Sequence, residues 1–531
     1  MMSEFPAYES VKSQLHLREK VGQLFMPAAF INDTEAEIGK LESLIETGQV
    51  GGLCFFHSRA SAATNFEGPK AIPYNENSLS RLKQLIERYQ RAARIPLLMA
   101  IDAEWGLAMR VERAPQYPYA LTLGALNHSW EHLLYDLGLR MAQDCHEIGI
   151  HLNLTPVADT NTNPENPVIG YRAFGSHPEA VGRKASLLHQ GLADGGLLSC
   201  AKHFPGHGDT AVDSHLNLPV LHKSLSDLEQ EELLPFKALI KAQVPLVMTG
   251  HLSLPQLDPS GLPASLSQPI IGLLRDMEFE GTIITDALNM HALKGISSQA
   301  ESLNLQAVQA GNDILCYADR IPESISLILK ELSESRIETS FKRVWDLKAR
   351  LFPTSAKSVL PNISPNALNQ KLAQHCLCAL RDTEEVLAEF RKDGFTQVSV
   401  GQTPHEFIKK LQEAYDFETH TCPSGVGLQK GLGTRAQNIL ITLWPPYMKP
   451  KDFFGLPSTL IAELRALGAQ KNLVLYLFGN PYILKKLPLN SFGGIVCASQ
   501  PQSVFQEVAG QHFSGYFKAT GELPIDLDYD N

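Results

Sequence analysis

Eight short apolar runs, separated by longer mixed segments, constrain this chain more than any other feature. They are VGQLFMPA (21–28), VGGLCFF (50–56), PLLMAID (96–102), IHLNLTPVAD (150–159), SCAKHF (199–204), VPLVMTGH (244–251), GTIITDA (281–287) and NDILCY (312–317). The runs are nearly continuous rather than alternating, which is the pattern of parallel strands buried on both faces. Most segments between them read as amphipathic helices, for example 130–149 and 228–243. Strand and helix alternating eight times predict an α/β chain that begins with a TIM-like (β/α)8 barrel. Polar residues gather at the C-terminal ends of these strands: Asp102, Asp159, the 202–215 segment, His251 and Asp286. That end of such a barrel is where active sites are built.

A barrel does not use up 531 residues. The pattern predicts a catalytic barrel over 1–352, closed by the helix RIETSFKRVWDLKARLF (336–352), then a Pro/Ser/Asn-rich linker over 353–365. Residues 366–531 carry further strand candidates at 397–401, 438–444, 473–479 and 493–499 and read as a smaller open α/β domain of unassigned role. The glycine-rich GVGLQKGLG (425–433) follows no clear strand and matches no phosphate-binding fingerprint, so it reads as a plain loop.

The formal net charge of −11 argues against a nucleic-acid partner, since phosphate binding draws on Lys and Arg. Hydrophobic content of 44% and charged content of 19% fit a packed globular protein rather than a disordered one. The eight cysteines are scattered, and several sit inside apolar runs, as reduced core thiols do. The first residues contain no apolar signal core, and no run reaches the length of about 18 apolar residues that a membrane span needs. A cytoplasmic setting without a membrane span is the expectation. Composition leaves the oligomeric state open.

The segment KHFPGHGDTAVDSH (202–215) concentrates the chemistry. Asp213 and His215 lie two apart, so an extended loop places both on one face. A carboxylate beside an imidazole fixes its tautomer and tunes it for proton transfer near neutral pH. A purely structural Asp–His hydrogen bond is the alternative. His203, His207, Asp209 and His215 are also possible zinc ligands, but Pro205, Gly206 and Gly208 exclude a helix between the first two, and the spacing matches no common zinc signature. Asp286 ends an apolar run, so its carboxylate must be paired, functional or a cap for a following helix. Asp102, Glu104, Trp105 and Arg110 in AIDAEWGLAMR, with Arg172 in NPVIGYRAFG, supply charged groups and a ring that suit a hydroxyl-rich ligand.

These segments, with VMTGHLSLP, GLPASLS, TDALNM and AGNDILCY, together resemble glycoside hydrolase family 3, and more closely its bacterial β-N-acetylglucosaminidase branch, which acts on cell-wall fragments. The likeness runs through roughly residues 15–350 and is weaker beyond. It implies a retaining hydrolysis without a metal or other cofactor. Asp286 falls at the nucleophile position, His215 at that of the acid/base and Asp213 at that of its orienting partner. Asp102, Arg110, Arg172, Lys202 and His203 match positions that hold the hydroxyls of N-acetylglucosamine. Many members read DQEGGRVxR where this chain reads DAEWGLAMR, so Trp105 and Leu107 alter the pocket wall.

The expected activity is removal of terminal β-linked N-acetylglucosamine from peptidoglycan-derived or chitin-like oligosaccharides. Other readings are a β-glucosidase, a β-xylosidase or a glycoside phosphorylase on the same scaffold, a metal-dependent hydrolase, and a sugar-binding protein without turnover. His207 and Asp209 are expected to brace the 202–215 loop, Asp209 through backbone amides, and a mobile loop is expected to carry His215 to the glycosidic oxygen.

Overall fold

The computed structural model describes residues 5–62, 72–210, 218–293, 295–352, 359–381, 383–402, 405–423, 425, 427–428 and 437–527. They form two compact units. The first comprises Met1–Tyr117, Leu134–Thr160 and Val181–Asn362, and the second Pro118–Leu133, Asn161–Ala180 and Ile363–Asn531.

The strands of the first unit are β1 (Phe25–Met26), β2 (Ala28–Phe30), β3 (Gly52–Phe56), β4 (Leu98–Ile101), β5 (Leu152–Asn153), β6 (Leu198–Phe204), β7 (Leu246–Thr249), β8 (Thr282–Thr285) and β9 (Leu315–Cys316). Strands β2 to β8 lie side by side in chain order, all parallel. A parallel bridge between Ile284 and Ile314 joins β8 to the residue before β9, and β9 pairs with β1. Only Pro27, which has no amide hydrogen to donate, separates β1 from β2. Counted as one interrupted strand, they close a ring of eight. The barrel and the separate open sheet expected from the sequence are thus the architecture found.

The first apolar run is placed differently from its expectation. Val21 and Gly22 belong to the helix Leu17–Gly22, and the strand begins at Phe25. A reciprocal cap between His16 and Glu19 starts that helix early enough to take up the front of the run.

The second unit is built on a six-stranded sheet in the order β10-β15-β14-β13-β11-β12. Its strands are β10 (Cys378–Leu380), β11 (Thr396–Val400), β12 (Thr419–Cys422), β13 (Asn438–Leu443), β14 (Asn472–Leu477) and β15 (Gly494–Cys497). All neighbours are parallel except β10, which runs antiparallel to β15. Its core is aromatic: Trp444 stacks on Phe478 at 4.2 Å, and Phe407 and Phe513 pack around Tyr476.

Two segments from the first half of the chain are knitted into this unit. The Asn127 side chain donates to the Thr520 carbonyl (2.8 Å), the Tyr482 hydroxyl donates to the Asn161 carbonyl (2.7 Å), and Trp130 stacks on His375. A Cβ on Gly124 would stand 1.8 Å from the Phe174 carbonyl oxygen, so only glycine allows these two segments to touch there.

Lys348 lies fully buried in the first unit, its ammonium donating to Gln23 Oε1 (2.7 Å) and the Pro96 carbonyl (2.9 Å). Burial pushes its pKa down to about 7 from 10.5. Between those values the unfolded chain binds more protons than the native one, so this residue makes stability rise with pH across that window. Its full span is at most about 5 kcal/mol. Lys348→Met leaves two acceptors unpaired, a cost that does not vary with pH. The stability of Lys348→Met relative to wild type, from urea denaturation at pH 7, 8.5 and 10, should therefore be highest at pH 7 and decline steadily; a flat difference would mean that Lys348 is buried charged.

Candidate active site

The C-terminal ends of the barrel strands assemble a compact ionic cluster. Lys202, near the end of β6, is 2% exposed, and its ammonium donates to Asp102 Oδ1 and Glu104 Oε1, each at 2.7 Å. Arg110 takes the other side of Asp102, with Nη2 on Oδ2 at 2.8 Å and Nε on the Asp102 carbonyl at 3.0 Å. The Arg110 guanidinium also lies 5.2 Å from the centre of the Phe56 ring. Two cations and two carboxylates balance, so the cluster carries no net charge while presenting fixed donors and acceptors. Such an array suits the hydroxyls of an uncharged sugar. The adjoining Ala103 exchanges both backbone hydrogen bonds with the buried Asn153 side chain at 3.1 Å, which fixes the turn after β4.

The second element is Asp159, fully buried at the end of the fourth apolar run. Its Oδ2 accepts from His203 Nδ1 (2.7 Å), and its Oδ1 accepts from the backbone amides of His203 (3.1 Å) and His207 (2.8 Å). Burial alone would raise this carboxyl. The charges and hydrogen bonds of His203 and His207 outweigh burial and hold it below the ordinary carboxylate range. One carboxylate thus orients the His203 ring and anchors the start of the segment that follows. The β6–β7 pairing shifts register between Ala201 and Phe204, and the Lys202–His203 and Phe204–Pro205 peptides are both cis.

His207 also bonds Thr210 through Nδ1 (2.6 Å), so it braces the loop as its position suggested. Asp209 does so differently from the expectation. Its Oδ2 pairs with the Lys223 ammonium (3.1 Å), which also binds Glu231 and Glu232. An ion pair to a largely buried ammonium thus holds the half-buried Asp209. Gly206, at φ +131°, sits where a Cβ would meet the Glu232 side chain at 2.6 Å. Asp213 and His215 lie outside the described residues, and so does the proposed movement of the loop.

Asp286 directly follows β8. Its amide donates to the Thr249 carbonyl (2.9 Å), and its Oδ1 accepts from the amide of Ala287 (2.7 Å). No helix starts here, so the capping role considered for Asp286 does not apply; the next helical element is the turn His291–Leu293. The buried His251 contacts the Ala287 carbonyl (3.0 Å) and Ser265 Oγ (2.7 Å), bracing the peptide behind Asp286. Burial pushes the Cys200 thiol up, and after it the charges of Lys202, Asp102 and Asp286 act on that thiol. The Cys316 thiol is pushed up first by its hydrogen bond with Cys54, then by burial, with the charges of Asp286 and Asp102 after them. Asp286, directly after β8, and the ionic cluster, at the ends of β4 and β6, thus stand at the same C-terminal rim of the barrel.

Arg172 belongs to the second unit, on the turn Gly170–Arg172, where Nη1 lies 3.5 Å from the Val168 carbonyl. Trp105 is half-buried, its carbonyl bonded by the amide of Tyr117 (3.0 Å). Leu107 is buried. Among the described residues no three His, Cys, Asp or Glu side chains stand together as a metal site requires. The pairing of Asp159 with His203, and of Glu104 with Lys202, could not be read from spacing. A strand-end Asp in an apolar run was the one available signal for the former.

Charged groups and a carboxylate gathered at the C-terminal rim mark the place where barrel enzymes build their active sites, and comparison with known proteins gives the class. Residues 16–347 match the family model described as the glycosyl hydrolase family 3 N terminal domain. The chain belongs to glycosyl hydrolase family 3. It is 30% identical over 372 residues to β-hexosaminidase A of Pseudoalteromonas piscicida, covering 63% of this chain and 60% of that protein. It is 35% identical over 254 residues to a β-hexosaminidase of Neisseria meningitidis, covering 46% of this chain and 69% of that one. The chain therefore spans about three-fifths to two-thirds of these relatives' lengths. A family 3 β-N-acetylglucosaminidase structure from Paenibacillus sp. superposes with a TM-score of 0.74 at 25% identity, over 97% of this chain and 99% of that one.

Asp159→Asn removes the charge that holds His203. The loss of one partner of a buried pair should cost about 3–5 kcal/mol at pH 7. A carboxyl lowered in the native state stabilises above its unfolded pKa of about 3.9 and loses that contribution as pH falls through its native value. The gap between wild type and variant in urea denaturation should thus narrow below about pH 4. An undiminished gap at pH 3 would show that Asp159 acts through packing and not charge.

Proposed function

We propose that this protein is a retaining exo-β-N-acetylglucosaminidase that removes terminal N-acetylglucosamine from peptidoglycan-derived or chitin-like oligosaccharides. The observation that carries this reading is the neutral Lys202–Asp102–Glu104–Arg110 cluster at the same C-terminal rim of the barrel as Asp286. The names of its relatives, two β-hexosaminidases and a β-N-acetylglucosaminidase, support the choice of sugar.

In this mechanism the terminal sugar lies in the cluster, its hydroxyls gripped by Asp102, Arg110, Lys202 and His203, with Arg172 as a further ligand. The Asp286 carboxylate attacks the anomeric carbon, and the glycosidic C–O bond breaks. His215, oriented by Asp213, gives its proton to the departing oxygen. A covalent glycosyl-enzyme on Asp286 results. His215 then takes a proton from water as the water oxygen attacks the same carbon and frees Asp286. Two inversions retain the β configuration. A His–Asp pair replaces the second carboxylic acid usual in retaining enzymes, and an imidazole, which ordinarily titrates near neutral pH, can play both proton roles.

The test is hydrolysis of an aryl β-N-acetylglucosaminide and of a β-linked disaccharide. Asp286→Ala should lose activity on both by about a thousandfold or more, as removal of a covalent nucleophile does. His215→Ala should lose about 10²–10⁴-fold on the disaccharide but far less on the aryl glycoside, whose leaving group needs little protonation. Full activity in Asp286→Ala, or equal losses on both substrates in His215→Ala, would overturn the mechanism. Parallel assays with aryl glucosides and xylosides, and with added phosphate as acceptor, separate the other scaffold activities.

A further inference from the structure

At the same end of the barrel as the ionic cluster, past the end of β2, lies a cavity of about 490 Å³. It opens between the segment after β2 and residues 75–84. Asn32, Asn75, Asn77, Ser80 and Gln84 line it with amides and a hydroxyl. Its two charged lining residues are neutralised by neighbours. Asp33 is gripped by the fork of Arg59 at 2.8 and 2.7 Å, and Arg81 pairs with Glu35 at 3.0 Å. What the cavity offers is therefore neutral donors and acceptors. Just before them in sequence stand two exposed apolar side chains, Tyr74 at 69% and Ile72 at 51% exposure.

The cavity is wired to the cluster. Asn75 Nδ2 donates to Asn32 Oδ1 (2.6 Å), and Asn32 Nδ2 meets His57 Nε2 (3.1 Å) and donates to the His57 carbonyl (3.1 Å). His57 Nε2 is also bonded to Glu112 Oε1 (2.6 Å), which accepts from the Asn75 amide as well (3.0 Å). Glu112 is two residues beyond Arg110, the residue that holds Asp102. This network fixes Asn32 and Asn75 on the same framework that carries the cluster. Preorganised amides, with an exposed ring on the residue next in sequence to the lining Asn75, are the chemistry that recognises the hydroxyls, acetamides and apolar face of a pyranose.

We propose that this cavity is a carbohydrate subsite that binds a distal sugar of a neutral, β-linked amino-sugar oligosaccharide while its terminal residue occupies the ionic cluster. The assignment rests on the glycosidase reading above and adds a preference for chain length. An anionic fragment gains nothing here, because both lining charges are already paired.

The experiment uses the full chain and two variants outside the cluster, Tyr74→Ala and the double variant Asn77→Ala/Gln84→Ala. In wild type, kcat/KM should rise about tenfold from N,N′-diacetylchitobiose to the longer chitooligosaccharides. Both variants should erase that rise and leave the aryl β-N-acetylglucosaminide rate within about twofold of wild type. No gain with length in wild type, or equal losses on aryl and oligomeric substrates, overturns the subsite. Calorimetric titration of chitotetraose into Asp286→Asn protein, with and without Tyr74→Ala, gives a readout that needs no turnover. If aryl N-acetylglucosaminides are not hydrolysed but Tyr74→Ala weakens this binding, the activity reading fails and the subsite stands. Unchanged affinity, or no binding in either protein, overturns the subsite itself.

Discussion

The site depends on one buried cation. Lys202 is almost wholly removed from water, and an unpaired ammonium there would cost several kcal/mol. Asp102 and Glu104 each approach it at 2.7 Å, and Arg110 relieves the excess negative charge they bring. Each partner comes from the turn after β4, whereas Lys202 comes from β6. The ionic requirement therefore ties together two strand ends separated by β5. A sugar hydroxyl entering this array meets groups already held in place, so little ordering remains to be done when it binds.

Asp159 extends the same logic to the proton-transfer segment. Its two oxygens serve His203, assigned to the sugar, and the amide of His207, which starts the run toward His215. Lys223 fixes the next anchor at Asp209. The described start of the 202–215 segment is thus anchored at Asp159 and at Lys223.

Much of this was legible in the sequence because burial on both faces leaves a strong mark. Continuous apolar runs announced the barrel strands, and polar residues at their ends announced the rim. The edges were less visible. β10 is only three residues long, and β12, THTC, is polar and partly exposed, so neither bears the apolar signature. The helix ending at Gly22 absorbed apolar residues that read as strand. Partnerships across long separations left no local trace either: Asp159 lies 44 positions from His203, and Lys202 lies 98 from Glu104. The inclusion of 118–133 and 161–180 in the second unit follows from long-range contacts that no periodicity encodes.

The departure at DAEWGLAMR can now be placed. Asp102, Glu104 and Arg110, the residues of that stretch that carry charge, all take part in the cluster, and its charges balance although Leu107 stands where many members carry an arginine. Gly106 is retained for a separate reason. It adopts φ +88°, and a Cβ there would meet the Tyr117 ring at 2.7 Å and the Pro115 carbonyl at 2.9 Å. The Tyr117 hydroxyl in turn donates to Asp144 (2.5 Å), itself paired with Arg140. The turn after β4 is therefore packed against a second buried ionic group, and its backbone path is fixed independently of what stands at 105 and 107. Positions 105 and 107 can therefore vary on a turn whose path and whose three charged side chains are held by other contacts, which is the physical condition for reshaping a pocket wall while keeping the ionic cluster.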